Sequence, residues 1–289
     1  MELVWLEDFI ALAEHGSFVR AADARHITQP AFSRRIRSLE QWMGVSLFVR
    51  TPQGTTLTEA GRHILTDASE ATSRLYRLRT EAQEVAGHMA KTLPFAATHS
   101  LSFTFFPRWI RQVDNGAPIE AIRLHSDSMA GCEKLLVHGE VPFLLCHRHP
   151  AVPSPLAPGL FISKQVGEDT LIALMSRHVS QEIPSHQLPY LAYTEASGLG
   201  RIVAHRLYGK AAVLAVKPQF SSHLAAVLMS MALEGKGVAW LPKSLAEQEI
   251  SDGRLVRALD ERWDITLQIH LTRPVAPLSA AAEVFWSKL

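Results

Sequence analysis

The chain has 289 residues, 47% apolar and 20% charged, with 29 lysines and arginines against 28 acids and a net charge of +1. That is about two domains' worth of sequence with ample apolar material for real cores, which excludes a disordered, solvating polypeptide. The opening M-E-L-V-W-L-E-D-F is acidic and amphipathic, not a basic stretch leading into an apolar one, and no later run is long and apolar enough to span a bilayer, so a cytoplasmic protein is expected.

Residues 17–40 read S-F-V-R-A-A-D-A-R-H-I-T-Q-P-A-F-S-R-R-I-R-S-L-E, two short helices around a tight break. Ser17 suits an N-cap, because its hydroxyl can accept from an orphaned backbone N–H, and Phe18, Ala21 and Ala22 form an apolar stripe. The alanines matter by being small: two helices crossing steeply over a short turn need close backbone approach. Thr28 is expected to cap the second helix, with Pro30 in its first turn, where a missing N–H costs nothing. Ile36, Leu39 and Met43 make its inner face; Gln29, Ser33, Arg34 and Arg37 fall on the outward arc. Those outward types suit DNA, since glutamine can pair bidentately with adenine, serine bonds bases or phosphate, and arginine forks onto guanine or neutralises phosphate. Any one of these arginines alone would read as a solvated helix face. From Arg20 to Arg50, however, six arginines stand against only Asp23 and Glu40, so the positive field is local even though the total charge is not.

Leu6, Phe9 and Leu12 open a pattern that continues through G-S-F, A-A, T-Q-P-A-F-S, L-E, G-V and L-F-V-R to Arg50, then T-P-Q-G-T-T-L-T-E-A-G over 51–61. This resembles the LysR-type transcriptional regulators, very specifically over the first sixty residues. The resemblance implies an N-terminal winged helix-turn-helix over 1–58, in which Gln29, Pro30, Ser33 and Arg34 belong to the groove-reading helix, and Arg50 and Thr51 to the wing that flanks the backbone. Turn chemistry independently supports the wing, because Pro52, Gly54 and the threonines suit a turn between short strands.

Thr58 is expected to cap a long linker helix running to about Ala86, within a segment 59–87. Ile64, Ala68, Ala71, Leu75, Leu78, Ala82 and Val85 are spaced 4, 3, 4, 3, 4, 3, a heptad seam that argues for a coiled-coil partner over packing on its own domain. Two chains paired here would set two recognition helices side by side, so the expected partner is double-stranded DNA carrying an inverted repeat, bound by a homodimer. The resemblance adds that such dimers often pair again into homotetramers.

After Gly87 alternating strand and helix patterns predict an α/β domain with mostly parallel sheets over 88–289. Strands are expected at 92–97, 119–125, 141–146, 171–175, 190–193, 212–216, 237–241 and 265–272. Helices are expected at 101–112, 132–138, 222–234 and up to Leu289, with a proline-rich loop over 150–159. This is similar to the two-lobed periplasmic-binding-protein-like effector domain of the family, with lobe I roughly 88–163 plus 268–289 and lobe II roughly 164–267. Ligands in that fold sit between lobes, where strands end and helix N-termini present free N–H groups. Thr98, His99 and Ser100 end the first strand, and by resemblance Ser100 lies where many family members contact an effector. Y-T-E-A-S-G-L-G-R over 193–201 would face them through Tyr193 and Ser197, and Ser221, Ser222 and His223 would supply a third wall. Each serine alone could simply cap a helix; convergence of three strand ends is what favours a pocket for a small polar or anionic effector, with His99 and His223 as its recognition groups.

T-H-S-L-S, E-A-S-G-L-G-R and G-V-A-W-L-P-K (237–243) look most like the hypochlorite-responsive branch of the family, where methionine oxidation is the associated signal. The positions aligned with that branch's sensing methionines hold Val113, Leu199 and His223. Met129, Met175, Met229 and Met231 have helix or strand spacing, which reads as core. Cys132 and Cys146 invite a thiol switch, but nothing in their spacing brings them within bonding distance, and inert thiols are the better reading. His147 and His149 at i, i+2 lack a third ligand, so no metal and no cofactor is expected. A hydrolase built on His99 and Ser100 lacks a G-x-S-x-G elbow, a phosphate loop or a paired metal motif, and the chain is not expected to be an enzyme. The expected mechanism is effector control of dimer geometry on DNA, changing DNA bend or contact with RNA polymerase.

Overall fold

The computed structural model describes residues 1–51, 54–85, 92–113, 121–156, 159–180, 189–207 and 218–289; the side chains of 77, 80, 81 and 83–85 lie outside that description. One compact unit is built on Met1–Ala86 with Val137–Gly139 and a second on Gly87–Leu136 with Glu140–Leu289.

In the first unit, α1 (Leu3–His15), α2 (Phe18–Ala24) and α3 (Gln29–Met43) precede a hairpin of β1 (Phe48–Thr51) and β2 (Gly54–Leu57), and α4 (Glu59–Val85) follows. Leu6, Phe9, Leu12, Phe32, Ile36, Leu39 and Leu47 fill its core, and Ala21 and Ala22 are buried where α2 packs on its neighbours, as their size predicts. Neither Ser17 nor Thr28 makes the expected side-chain cap. Their carbonyls do start the helices, accepting from Ala21 N–H and Phe32 N–H at 2.9 and 3.0 Å. For Thr28 the reason is visible, since Pro30 at the second helical position removes one of the two N–H groups a cap could reach. Thr58 does cap, its Oγ1 accepting from Gly61 N–H at 3.0 Å. The hairpin docks tightly on α1: Thr55 N–H donates to the Gly16 carbonyl at 2.9 Å, and a Cβ on Gly54 (φ 135°) would meet that same oxygen at 2.8 Å. Pro52, the expected turn residue, lies outside the described residues.

Along α4 the seam changes character. Ile64 and Ala68 pack into the helix-turn-helix core, whereas Ala71, Leu75, Leu78 and Ala82 are exposed, the two leucines at 44% and 53%. Val85 and Ala86, at the end of the expected seam, lie outside the described side chains.

The second unit is organised by two long strands. β3 (Leu93–Thr98) pairs in parallel with β4 (Ile122–Asp127) and β5 (Phe143–Arg148). β6 (Phe161–Ser176) and β11 (Ile265–Pro274) then run antiparallel to each other over most of their length, and β11 also runs antiparallel to β5. Beyond Thr170, β6 pairs antiparallel with β9 (Ala239–Pro242) and β10 (Leu255–Arg257), while β7 (Leu191–Tyr193) and β8 (Phe220–Ser222) form a parallel pair bridged to Val238. The expectation of mostly parallel sheets is therefore corrected: every pairing of β6 and β11 is antiparallel, because these strands carry the chain between lobes. The 16-residue β6 also replaces the five-residue strand expected at 171–175.

Helices cover both faces. α5 (His99–Thr104) and α6 (Phe106–Val113) replace one expected helix at 101–112; Pro107, which cannot donate to the preceding turn, accounts for the break. With α12 (Ala280–Ser287) they close a core of Phe95, Phe106, Trp109, Phe143 and Phe285. α7 (Met129–Val137) covers the opposite face over Cys132, Leu144 and Cys146. In the second lobe α8 (Arg177–Ser180), α9 (Gly198–Leu207), α10 (Ala225–Leu233) and α11 (Lys243–Ser251) surround Trp240, Leu228, Leu241 and Ile202. The expected strand at 212–216 and the start of that at 119–125 lie outside the described residues. Among those residues no helix is long and apolar enough to cross a membrane.

Candidate functional site

On the first unit, α3 projects Gln29, Pro30, Arg34 and Arg37 into solvent, and Arg50 is exposed on β1, its guanidinium 5.4 Å from the centre of the Phe18 ring; Thr51 is half-buried, its hydroxyl donating to the Gly54 carbonyl at 3.1 Å. Ser33 is a correction. It is only 6% exposed rather than outward, and its Oγ accepts from Gln29 Nε2 at 3.0 Å, so it orients the glutamine instead of offering a free hydroxyl. The arginines also divide. Arg35 Nη1 reaches the fully buried Asp8 at 3.4 Å, Arg25 Nε donates to the same carboxylate at 2.8 Å, and Arg25 pairs with Glu7 as well. Sequence reading missed Asp8, whose acidic side chain on an apolar helix face was its only signal; it ties α1 to α2 and α3 and so fixes the angle at which α3 is presented.

On the second unit a cavity of about 30 Å³ opens between the lobes, lined by Thr98, His99, Ser100, Asp127, Ser128, Met129, His147, Ser197, Gly198, Leu199, His223 and Ala225. The β3–β4 register pairs Thr98 with Asp127, so two parallel strands end side by side at its mouth. Of the residues expected from sequence, Thr98, His99, Ser100, Ser197 and His223 come together here. Tyr193 and Ser222 do not. The Tyr193 hydroxyl donates to the Trp240 carbonyl at 2.8 Å inside lobe II, where burial pushes its pKa well above 10, and Ser222 Oγ accepts from Leu224 N–H at 3.1 Å. Ser197 both lines the cavity and accepts from Gly200 N–H at 3.2 Å. Asp127, Ser128, Met129 and His147 were missed. A β4 read two residues longer would have placed the first three at a strand end.

The His99 and His223 rings touch each other on the cavity wall, tilted at 44° with centroids 5.5 Å apart, and His99 Nδ1 lies 3.0 Å from Ser126 Oγ. Burial first, then the facing His223, holds the His99 pKa below 6.5 against the opposing pull of Asp127. His147 Nε2 stands 3.4 Å from the buried Asp169 Oδ2 without hydrogen-bond geometry, and its Nδ1, like Thr98 Oγ1, has no partner among the described residues. Asp169 also accepts from Ser244 Oγ at 2.5 Å; burial pushes its pKa up, but His147 and Ser244 more than reverse this and leave it below 3.8. The lobes are clasped beside the cavity by Glu133 of α7 and Arg201 of α9, a bidentate pair at 2.8 and 2.9 Å, and by Ala130 N–H donating to Ala196 O at 3.3 Å. Cys132 and Cys146 are buried and their thiols pushed up to about 12, so neither carries thiolate character. Among the described residues no three His, Cys, Asp or Glu side chains are grouped to hold a metal.

A winged helix-turn-helix with an exposed cationic helix, joined to a two-lobed unit with a polar cleft, defines a DNA-binding regulator with a sensor domain. Residues 3–62 match the bacterial regulatory helix-turn-helix protein, lysR family, and residues 86–289 match the LysR substrate binding domain. The chain belongs to the LysR family and is a transcriptional regulator with a C-terminal effector-binding domain. It is 28% identical over 294 residues to the HTH-type transcriptional regulator YjiE of Escherichia coli (strain K12), covering 100% of this chain and 94% of that one. Among solved structures it is similar to full-length HypT of Salmonella typhimurium, a hypochlorite-specific LysR-type regulator, at 28% identity and TM-score 0.58, covering 99% and 96% of the two chains. It is also similar to Vibrio fischeri DarR in complex with DNA, at 26% identity and TM-score 0.56, covering 99% and 97%.

Proposed function

We propose that this regulator acts in the cytoplasm as a homodimer on an inverted DNA repeat, reading it with Gln29, Pro30, Arg34 and Arg37 of α3 while Arg50 and Thr51 flank the backbone. Ser33 acts through Gln29. The observation that carries this reading is the exposure of Arg34 and Arg37 on α3 while Arg25 and Arg35 turn inward to Asp8. The seam of α4 that stays exposed, Ala71, Leu75, Leu78 and Ala82, spans about 17 Å of the helix and supports pairing through a second copy of it. Pairs of dimers, and contact with RNA polymerase, follow from the family's habit. The working divisions are 1–58, 59–87 and 88–289, with lobes meeting inside β6 and β11.

The interlobe cleft takes a small polar or anionic effector held by Thr98, His99, Ser100, Ser197 and His223. By favouring one closure of the lobes it changes how paired chains stack, and it can shift that balance only by its differential affinity for the two arrangements. Placement in the hypochlorite-responsive branch is a second reading, favoured by the likeness to HypT and by Met129 on the cavity wall. Gel mobility shift across a salt series tests the main reading: Arg34→Ala weakens binding and lowers the log–log salt slope by about 0.9 if Arg34 meets phosphate, or relaxes one base position if it reads guanine. Turnover of esters or nucleotides without any shift would reverse the assignment and make the protein an enzyme.

A further inference from the structure

Arg50 is the only charged residue between Phe48 and Leu57, and neighbouring elements fix the backbone that carries it. In the last turn of α3, Glu40 Oε1 accepts from Leu47 and Phe48 N–H at 2.8 and 3.2 Å, which ties the start of β1 to the reading helix. The Phe48 ring packs against Phe9 of α1 with centroids 5.4 Å apart. Across the hairpin Arg50 is paired with Thr55, whose N–H donates to the Gly16 carbonyl at 2.9 Å. A fixed backbone does not place the guanidinium, because a long exposed side chain keeps most of its rotamer freedom.

An aromatic ring supplies the missing constraint. Arg50 Cζ lies 5.4 Å from the centre of the Phe18 ring, inside the roughly 6 Å over which a cation is drawn to an aromatic face. Arg25 and Arg35 are held by carboxylates, whereas among the described residues Arg50 meets none. The half-buried Phe18 also stands edge-on to Phe32 of α3, with centroids 6.0 Å apart and planes at 86°. Phe32 is fully buried and adjoins Ser33, the residue that orients Gln29. One ring therefore leans on the reading helix and carries the charge of the wing. Packing on Phe32 needs only apolar bulk; holding a guanidinium needs a π face.

Resting on the DNA reading above, we propose that Phe18 is a positioning residue, whose ring holds the Arg50 guanidinium ready for a backbone phosphate beside the groove that α3 enters. A loose arginine must be ordered when the duplex binds, and a stacked one is ordered beforehand, so the ring adds affinity without adding charge. The gain is bounded by the strength of the stacking, which at an exposed site favours the stacked form by about two- to fivefold.

Gel mobility shift of the full chain over a salt series, on a duplex it selects from a random pool, separates positioning from packing. Arg50→Ala weakens binding and lowers the log–log salt slope by about 0.9 per chain. Phe18→Leu keeps apolar bulk on Phe32 and weakens binding by about two- to fivefold per chain, with the slope unchanged because the charge still reaches its phosphate. Phe18→Tyr keeps the ring face and binds as the unaltered chain does. In the Arg50→Ala background Phe18→Leu costs nothing further. If Phe18→Leu loses helical signal in circular dichroism, Phe18→Met is read in its place, with the same expected results. An equal loss in both backgrounds assigns Phe18 to packing alone and overturns the proposal. So does a Phe18→Tyr variant that falls with Phe18→Leu, or an Arg50→Ala variant that keeps the full slope. The DNA reading survives each of these results if Arg34→Ala still weakens binding, whereas an unaltered chain that shifts no duplex removes both.

Discussion

Replacing Asp8 by asparagine removes one charge at constant size from a point where three helices meet. Both oxygens are engaged, by Arg25 at 2.8 Å and Arg35 at 3.4 Å, and the side chain is fully buried. Breaking a buried pair costs about 3–5 kcal/mol when the surviving charge stays buried. Here the arginine side chains are 23% and 35% exposed and can turn to water, and Glu7 keeps hold of Arg25, so the expected cost falls to about 2–3 kcal/mol. Hydrogen-exchange mass spectrometry on the full chain reads it locally. Peptides from α1 and α3 should exchange about 30- to 150-fold faster, since each 1.4 kcal/mol is tenfold, while peptides from β3 and β5 keep their protection. Adding Arg35→Gln should cost little more, because its partner is already gone. Unchanged protection in α1 and α3, or full additivity of the two substitutions, would refute the idea that Asp8 sets the geometry of the reading helix.

Leu78→Asp places a charge in the exposed seam of α4 and should shift the protein to monomers in analytical ultracentrifugation at micromolar concentration; a persistent dimer would move the pairing surface elsewhere. Cys132 and Cys146, with thiols raised to about 12, should resist a thiol-exchange reagent at pH 8 in the native protein and react fully once it is unfolded, whereas rapid native labelling would reopen the thiol-switch reading. Arg201→Ala removes the bidentate partner of Glu133 at the lobe junction and should lower the thermal stability of the regulatory domain by about 1–3 kcal/mol; equal midpoints would mean the clasp is not formed in solution.

The parts of the fold legible in sequence are those written locally. Small alanines at 21 and 22, the 3.6-residue stripe through Ile36, Leu39 and Met43, and the heptads of α4 each announce a helix from neighbours along the chain. β6 was read at a third of its length because Lys164, Gln165, Glu168 and Asp169 break the apolar pattern; those residues are held in the strand by pairing with β11 about a hundred positions later. The same limit applies to the sites. Thr98, His99 and Ser100 were found because strand ends are visible, and His223 because it follows a strand pattern into a helix. His147 was read only as half of a metal pair, since nothing near it in sequence shows that Asp169 lies behind it and a cavity in front. Ser33 looks outward on helical spacing alone, and its burial beneath Gln29 shows only in the packed structure. Asp8 and Arg35 are 27 positions apart, a pairing no local pattern can signal.

The central claim, that paired chains present α3 to successive major grooves, is tested most directly by hydroxyl-radical footprinting on duplexes selected by the protein from a random pool at moderate salt. The predicted result is two protected half-sites on one face of the duplex, related by inversion and centred a whole number of helical turns apart, each turn about 10.5 base pairs, with both lost in Leu78→Asp. A folded sample that protects a single half-site, protects sequence without inversion symmetry, or leaves no footprint contradicts it.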